Sequence, residues 1–168
     1  MTPVDVSAWA SETIGLPPAF APLLPGGSEV LRFAPGWRDP DADDFWSYAF
    51  VMWLEAPAPD RAGLEALFEA YYDGLLYAVA PQVGEDAAKV EVTELGDGSF
   101  AATMQLVDAF TTLEPLRLLA RIDVRPSGTS RSEVFVRASP QGHEHPVWNA
   151  LSAAIQAIED ERTTSDNG

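Results

Sequence analysis

Cysteine is absent from the chain. That excludes disulfide frameworks, zinc–thiolate and iron–sulfur sites, and thiol catalysis. Positive charge is scarce. Only 10 lysines and arginines stand against 26 aspartates and glutamates, for a formal net charge of -16 at pH 7. A surface so acidic repels phosphate backbones and anionic lipid, so neither nucleic acid nor membrane is an expected partner. Long hydrophobic runs are missing too. The longest, around Tyr48 to Leu54, is strand-sized and far short of the roughly 18 residues that span a bilayer. The N-terminus shows neither a basic n-region nor an apolar h-region, which predicts a cytoplasmic protein.

What is present is an ordinary globular composition. The 168 residues are 46% hydrophobic and 21% charged, enough for one core. Lys89 is the only lysine, and arginine supplies the other nine basic side chains. Together with abundant alanine, that bias fits a GC-rich bacterial genome or a salt-adapted surface.

Three regions follow from the patterning. Residues 1–27 carry Pro17, Pro18, Pro22, Pro25, Gly26 and Gly27, which predicts an irregular arm packed down by Ile14, Leu16, Phe20, Leu23 and Leu24. Residues 28–158 form the domain proper, and 159–168 read as a polar tail. Within the domain, strands are expected over 29–33, 45–55, 89–95, 100–107, 116–125 and 131–138. A first helix starts at the N-cap Asp60 and stops at Pro81, and a second begins at Pro146. The order β-β-α-β-β-β-β-α predicts an α+β fold: a largely antiparallel six-stranded sheet with two helices packed on one face. On the first helix, Leu64, Leu67, Phe68, Tyr71, Leu75 and Val79 mark the buried stripe. Arg61, Glu65, Glu69 and Asp73, four apart, mark a solvated one.

Catalytic signatures are missing: there is no GxSxG elbow, no phosphate-binding GxxxxGK[ST] and no GxGxxG. No cofactor is expected. His143 and His145 are the only histidines, in Gln141-Gly-His-Glu-His-Pro146. The pair is a metal candidate in want of a third ligand, or, with Glu144, an acid–base pair for a hydrolase. The plainer alternative has His145 capping the last helix. Asp39-Pro-Asp-Ala-Asp-Asp44 lacks the glycine and the terminal acid of a calcium loop and reads as a turn.

The most informative feature is an arginine cluster. Arg117, Arg121 and Arg125 alternate along one expected strand, and Arg131 and Arg137 along its hairpin partner. A period of two places all five on the hairpin's outer face. Such a face is either a solvated ladder of ion pairs with Asp123 and Glu133, or an anion-binding surface suited to carboxylates and phosphates. The aromatic run Trp37, Phe45, Trp46, Tyr48, Phe50 and Trp53 makes one strand apolar on both sides. One side meets the helices. The other calls for the arm, a ligand or a second subunit, so a homodimer is a reasonable expectation.

The segments Leu31-Arg-Phe-Ala-Pro-Gly36, Phe45-Trp-Ser-Tyr-Ala-Phe-Val51, and Ser139-Pro140 with His145-Pro-Val-Trp148 resemble an uncharacterised bacterial protein family of unknown function. The resemblance runs from about residue 16 to 158 and implies no activity. Members of that group look as if they begin with a signal peptide, which implies a cell-envelope alternative to the cytoplasm. The residues themselves favour a non-enzymatic binding or protein-interaction module. A hydrolase at the histidine loop, and an acidic inhibitor or immunity protein for a basic partner, are the alternatives.

Overall fold

The computed structural model describes residues 5–166. It is an α+β fold with a single antiparallel sheet of seven strands, in the order β1-β2-β3-β7-β6-β5-β4. The strands are β1 (Ala10–Leu16), β2 (Gly27–Phe33), β3 (Tyr48–Leu54), β4 (Lys89–Gly96), β5 (Ser99–Val107), β6 (Pro115–Pro126) and β7 (Ser132–Ser139). The helices are α1 (Arg61–Val79) and α2 (Val147–Asp166).

The expected six strands become seven because the arm contributes one. Residues 10–16 hold no proline, and they pair antiparallel with β2 along its whole length. The prolines that suggested an irregular arm all lie after it. They break the chain between β1 and β2, where Phe20 and Leu24 fold under α1. The tail is corrected as well. Helix α2 runs on to Asp166, and buried Arg32 reaches from β2 to hydrogen-bond Glu161. The first four residues of the expected arm and the last two of the tail lie outside the described residues.

The helices lie on opposite faces, not on one. Helix α1 crosses from β3 to the far edge. It buries Leu64, Leu67, Phe68, Tyr71, Tyr72 and Leu76 against Phe50, Met52, Val90, Met104, Ile122 and Val136. Helix α2 follows β7 and turns over the reverse side, packing Trp148, Leu151, Ala154 and Ile158 on Ala49, Val51 and Phe135. This settles why β3 is apolar on both sides. Its second face is covered by α2, so the bare face that suggested a homodimer is filled from within the chain.

The acidic stripe of α1 is not simply solvated. Glu65, Glu69 and Asp73 accept hydrogen bonds from the backbone N–H groups of Val92, Val90 and Ala88 at 3.0, 3.1 and 2.6 Å. β4 is an edge strand, and its outward N–H groups invite pairing with another chain. Carboxylates at i, i+4 and i+8 match the two-residue spacing of those donors, so the helix closes the edge.

Gly74 permits the arm to seat. A Cβ there would stand 2.0 Å from the Phe20 carbonyl oxygen. Gly→Ala inside a helix ordinarily stabilises by about 1 kcal/mol. Here the sign reverses: Gly74→Ala is expected to destabilise by about 1–3 kcal/mol, because backbone must move to admit the methyl. Urea denaturation checks this, and a more stable variant would show that the arm does not press on α1.

Candidate functional site

The structure divides the five arginines. Arg117 lies exposed on β6 opposite Gln105. Arg125 spreads over the Phe135 ring at 4.4 Å and approaches Glu159 at 3.8 Å. Arg131 stands just before β7, beside Arg162 in a shallow polar cavity of about 550 Å³. Arg121 and Arg137 remain together. They are direct partners across the β6–β7 ladder, on the α2 side of the sheet.

Like charges directly opposite on adjacent strands are destabilising. Some of that cost is met locally. Arg137 donates to the Ser152 hydroxyl at 2.9 Å and stands 3.7 Å from Asp123. Arg121 and Arg137 then form one side of a concave site of about 210 Å³, completed by His143 and Trp148. The His143 ring lies 4.5 Å from the Trp148 ring, centroid to centroid. Its pKa is lowered first by burial and then by Arg121 and Arg137, with Glu144 opposing. Two of the causes are positive charges, on a protein whose net charge is strongly negative.

The two histidines part company. His145 accepts the Val147 N–H on Nδ1 at 3.0 Å, which makes it the cap of α2. Trp148 holds the loop by donating its indole N–H to the carbonyls of Gln141 and Gly142 at 3.2 and 2.9 Å. Among the described residues, no group of three or more histidines, cysteines, aspartates or glutamates is placed to hold a metal ion. Neither ring hydrogen-bonds a hydroxyl or a carboxylate among those residues, so a nucleophile–base pair is not assembled there.

Sequence reasoning missed two features on the other face. The first is buried Glu29, whose Oε1 accepts from the Tyr71 hydroxyl at 3.1 Å while Oε2 has no hydrogen-bond partner among the described residues. The available sign was parity: Glu29, Leu31 and Phe33 alternate onto one face, and the latter two are plainly core. The second is an apolar pocket of about 250 Å³ between β1, β2 and α1, with seven aromatic side chains among its eleven lining residues. Trp37, Trp46 and Tyr48 belong to the aromatic run already singled out, but Ile14, Phe20, Tyr71 and Phe110 come from separate segments, so no local pattern predicts that they enclose one pocket.

Comparisons with protein-family models, curated proteins and solved structures find no match to this chain. The functional reading therefore rests on the chain's own geometry. Among the described residues, no helix is long and apolar enough to cross a membrane.

Proposed function

We propose that the protein is a non-enzymatic binding module, and that Arg121 and Arg137 form its site for a small anion or an acidic partner segment. One observation carries this reading: two arginines stand directly opposite each other on adjacent strands and line one concavity together with a histidine and a tryptophan. Planar guanidinium groups suit carboxylate and phosphate oxygens. An anion between them would turn a repulsive pair into a bridged one. Arg117, Arg125 and Arg131 stand apart from this pair and supply at most a weak long-range field.

Inorganic phosphate is the probe. Compared with chloride at matched ionic strength, it is expected to raise the melting temperature and to raise the His143 pKa followed by NMR. An anion beside the ring cancels part of the field of the two arginines. Arg121→Ala is expected to abolish both responses while leaving stability without phosphate within about 0.5 kcal/mol, since it also removes the like-charge contact. Equal responses in the wild type and the Arg121→Ala protein would overturn the assignment.

A further inference from the structure

On the opposite face of the sheet, we infer that the aromatic pocket between β1, β2 and α1 is a second binding site, for a small arylalkyl ammonium ion. The pocket is lined by aromatic side chains, including Trp37, Trp46, Tyr48, Tyr71 and Phe110. Phe33 packs against both Trp37 and Tyr48, at centroid distances of 4.8 and 5.8 Å, so the walls brace one another. Electron-rich ring faces attract cations, tryptophan most strongly. The Trp37 ring already serves one, since the Arg38 guanidinium lies 5.5 Å from its centroid.

Charge decides the class of ligand. Glu12 is the one charged residue among those lining the pocket. Glu29 does not itself line the pocket, but it is the cross-strand partner of the lining residue Ile14 and the hydrogen-bond acceptor of the lining residue Tyr71. Among the described residues, its second oxygen is buried without a hydrogen-bond partner. Buried polar atoms in native structures nearly always have a partner. A protonated amine supplies both the donor and the counter-charge that an ionised Glu29 would need, and a quaternary ammonium would supply only the charge. The volume, about 250 Å³, suits a molecule with one ring and a short tail. The ring stacks in the pocket and the ammonium turns toward Glu12 and Glu29.

Protonation follows from the same arrangement. Burial raises the Glu29 pKa to about 8, the Tyr71 hydrogen bond works against that rise, and Glu12 adds to it. The titratable groups facing Glu29 are Glu12 from β1, Tyr71 and Tyr72 from α1, and Tyr48 from β3. An incoming ammonium favours the ionised carboxylate, so binding near pH 7 releases a proton.

The test uses 2-phenylethylammonium and its anionic counterpart of similar shape, 3-phenylpropionate. Binding is followed by the NMR signals of the Trp37 and Trp46 indole N–H groups, and by calorimetry in buffers of different ionisation enthalpy. The ammonium is expected to bind at least about tenfold more tightly than the carboxylate and to release protons on binding. Glu29→Gln is expected to abolish the proton release, and Glu12→Gln to weaken binding several-fold with the release intact. Equal affinity for the two probes would overturn the proposal. So would unchanged binding in the double variant, or indole signals that do not move at millimolar ammonium. Arg121→Ala should leave all of these readouts unaltered, which separates this site from the anion site.

Discussion

Glu29→Gln is expected to remove most of the pH dependence of folding stability between about pH 5 and pH 8. In the folded protein the Glu29 carboxyl is buried and holds its proton up to about pH 8, whereas its ordinary value is 4.5. Between those limits the native state binds a proton that the unfolded chain has released. Stability therefore falls as pH rises through this window. A shift of this size corresponds to roughly 3–5 kcal/mol across the window, at about 1.4 kcal/mol for each pH unit. A glutamine keeps the shape and still accepts the Tyr71 hydroxyl, but carries no charge to bury. At pH 8 the variant should therefore exceed the wild type in stability, and near pH 5 the two should be close. Denaturant midpoints measured at pH 5, 6.5 and 8 check this. Parallel curves for the two proteins would mean that Glu29 is ionised and solvated in the native state. Glu29→Met provides the apolar control and should show the same flattening.

A buried carboxyl whose retained proton costs the fold stability as pH rises toward 8 calls for a reason. Packing supplies none, since a leucine on this face would join Leu31, Phe50 and Met52 in the core. Placement beside an aromatic pocket does supply one, and stability surrendered at a binding site is a familiar exchange. The arginine pair on the other face has the same character. Arg121 and Arg137 occupy opposed positions where opposite charges, or one charge and one neutral residue, would be quieter. Both candidate sites are places where the sequence departs from what the fold alone would choose.

How much was legible beforehand depended on the range of the interactions. The Asp60 cap, the α1 helix and the two hairpins β4–β5 and β6–β7 are local, and periodicity with turn chemistry located them to within a residue or two at most ends. The β1 strand was hidden because it lies next to a proline-rich loop and shows little alternation. It is an edge strand, with only Ile14 and Leu16 partly buried. The side on which α2 packs is a tertiary choice. Apolar positions on both faces of β3 fit helices on opposite sides as well as a helix layer plus a second subunit. The carboxylates of α1 read as solvent-facing because charge at helical spacing usually is. Their role depends on where β4 returns, which no local pattern encodes. For the arginines, strand alternation puts Arg117, Arg121, Arg125 and Arg137 on one side of the β6–β7 hairpin, with Arg131 just before β7. It carried no information on α2, whose Trp148 lines the site with Arg121 and Arg137 and whose Ser152 accepts from Arg137.

The second large effect is expected at Asp108, which is buried after β5 at the start of a tight turn. Its carboxylate collects six donors. Oδ1 accepts from the Trp46 indole at 3.0 Å and from the backbone N–H groups of Phe110 and Thr111, both at 3.2 Å. Oδ2 accepts from the Thr111 hydroxyl and, at 2.9 Å each, from the Thr112 N–H and hydroxyl. Burial alone would raise its pKa. The bonds from Thr111, Thr112 and Trp46 outweigh burial and hold it down to about 2. The carboxylate also steadies a turn in which Leu113 adopts φ +60, a conformation costly for a leucine. Asp108→Ala leaves buried donors without an acceptor and removes the bonds that hold the turn in this costly conformation, for an expected loss of about 3–5 kcal/mol. Asp108→Asn keeps one acceptor but turns an NH2 group toward other donors, so it should fall between the alanine variant and the wild type. The acid limb follows from the sign of the shift. This contribution is complete above about pH 4 and is lost as pH falls through about 2, so the wild type should lose stability there and the variants should lose less. Because Trp46 and Phe110 also line the aromatic pocket, Asp108→Ala should disturb ammonium binding along with stability. Equilibrium unfolding at pH 7 and pH 3, read by tryptophan fluorescence, decides the matter. A loss below about 1 kcal/mol at pH 7 would show that solvent, not Asp108, serves those donors.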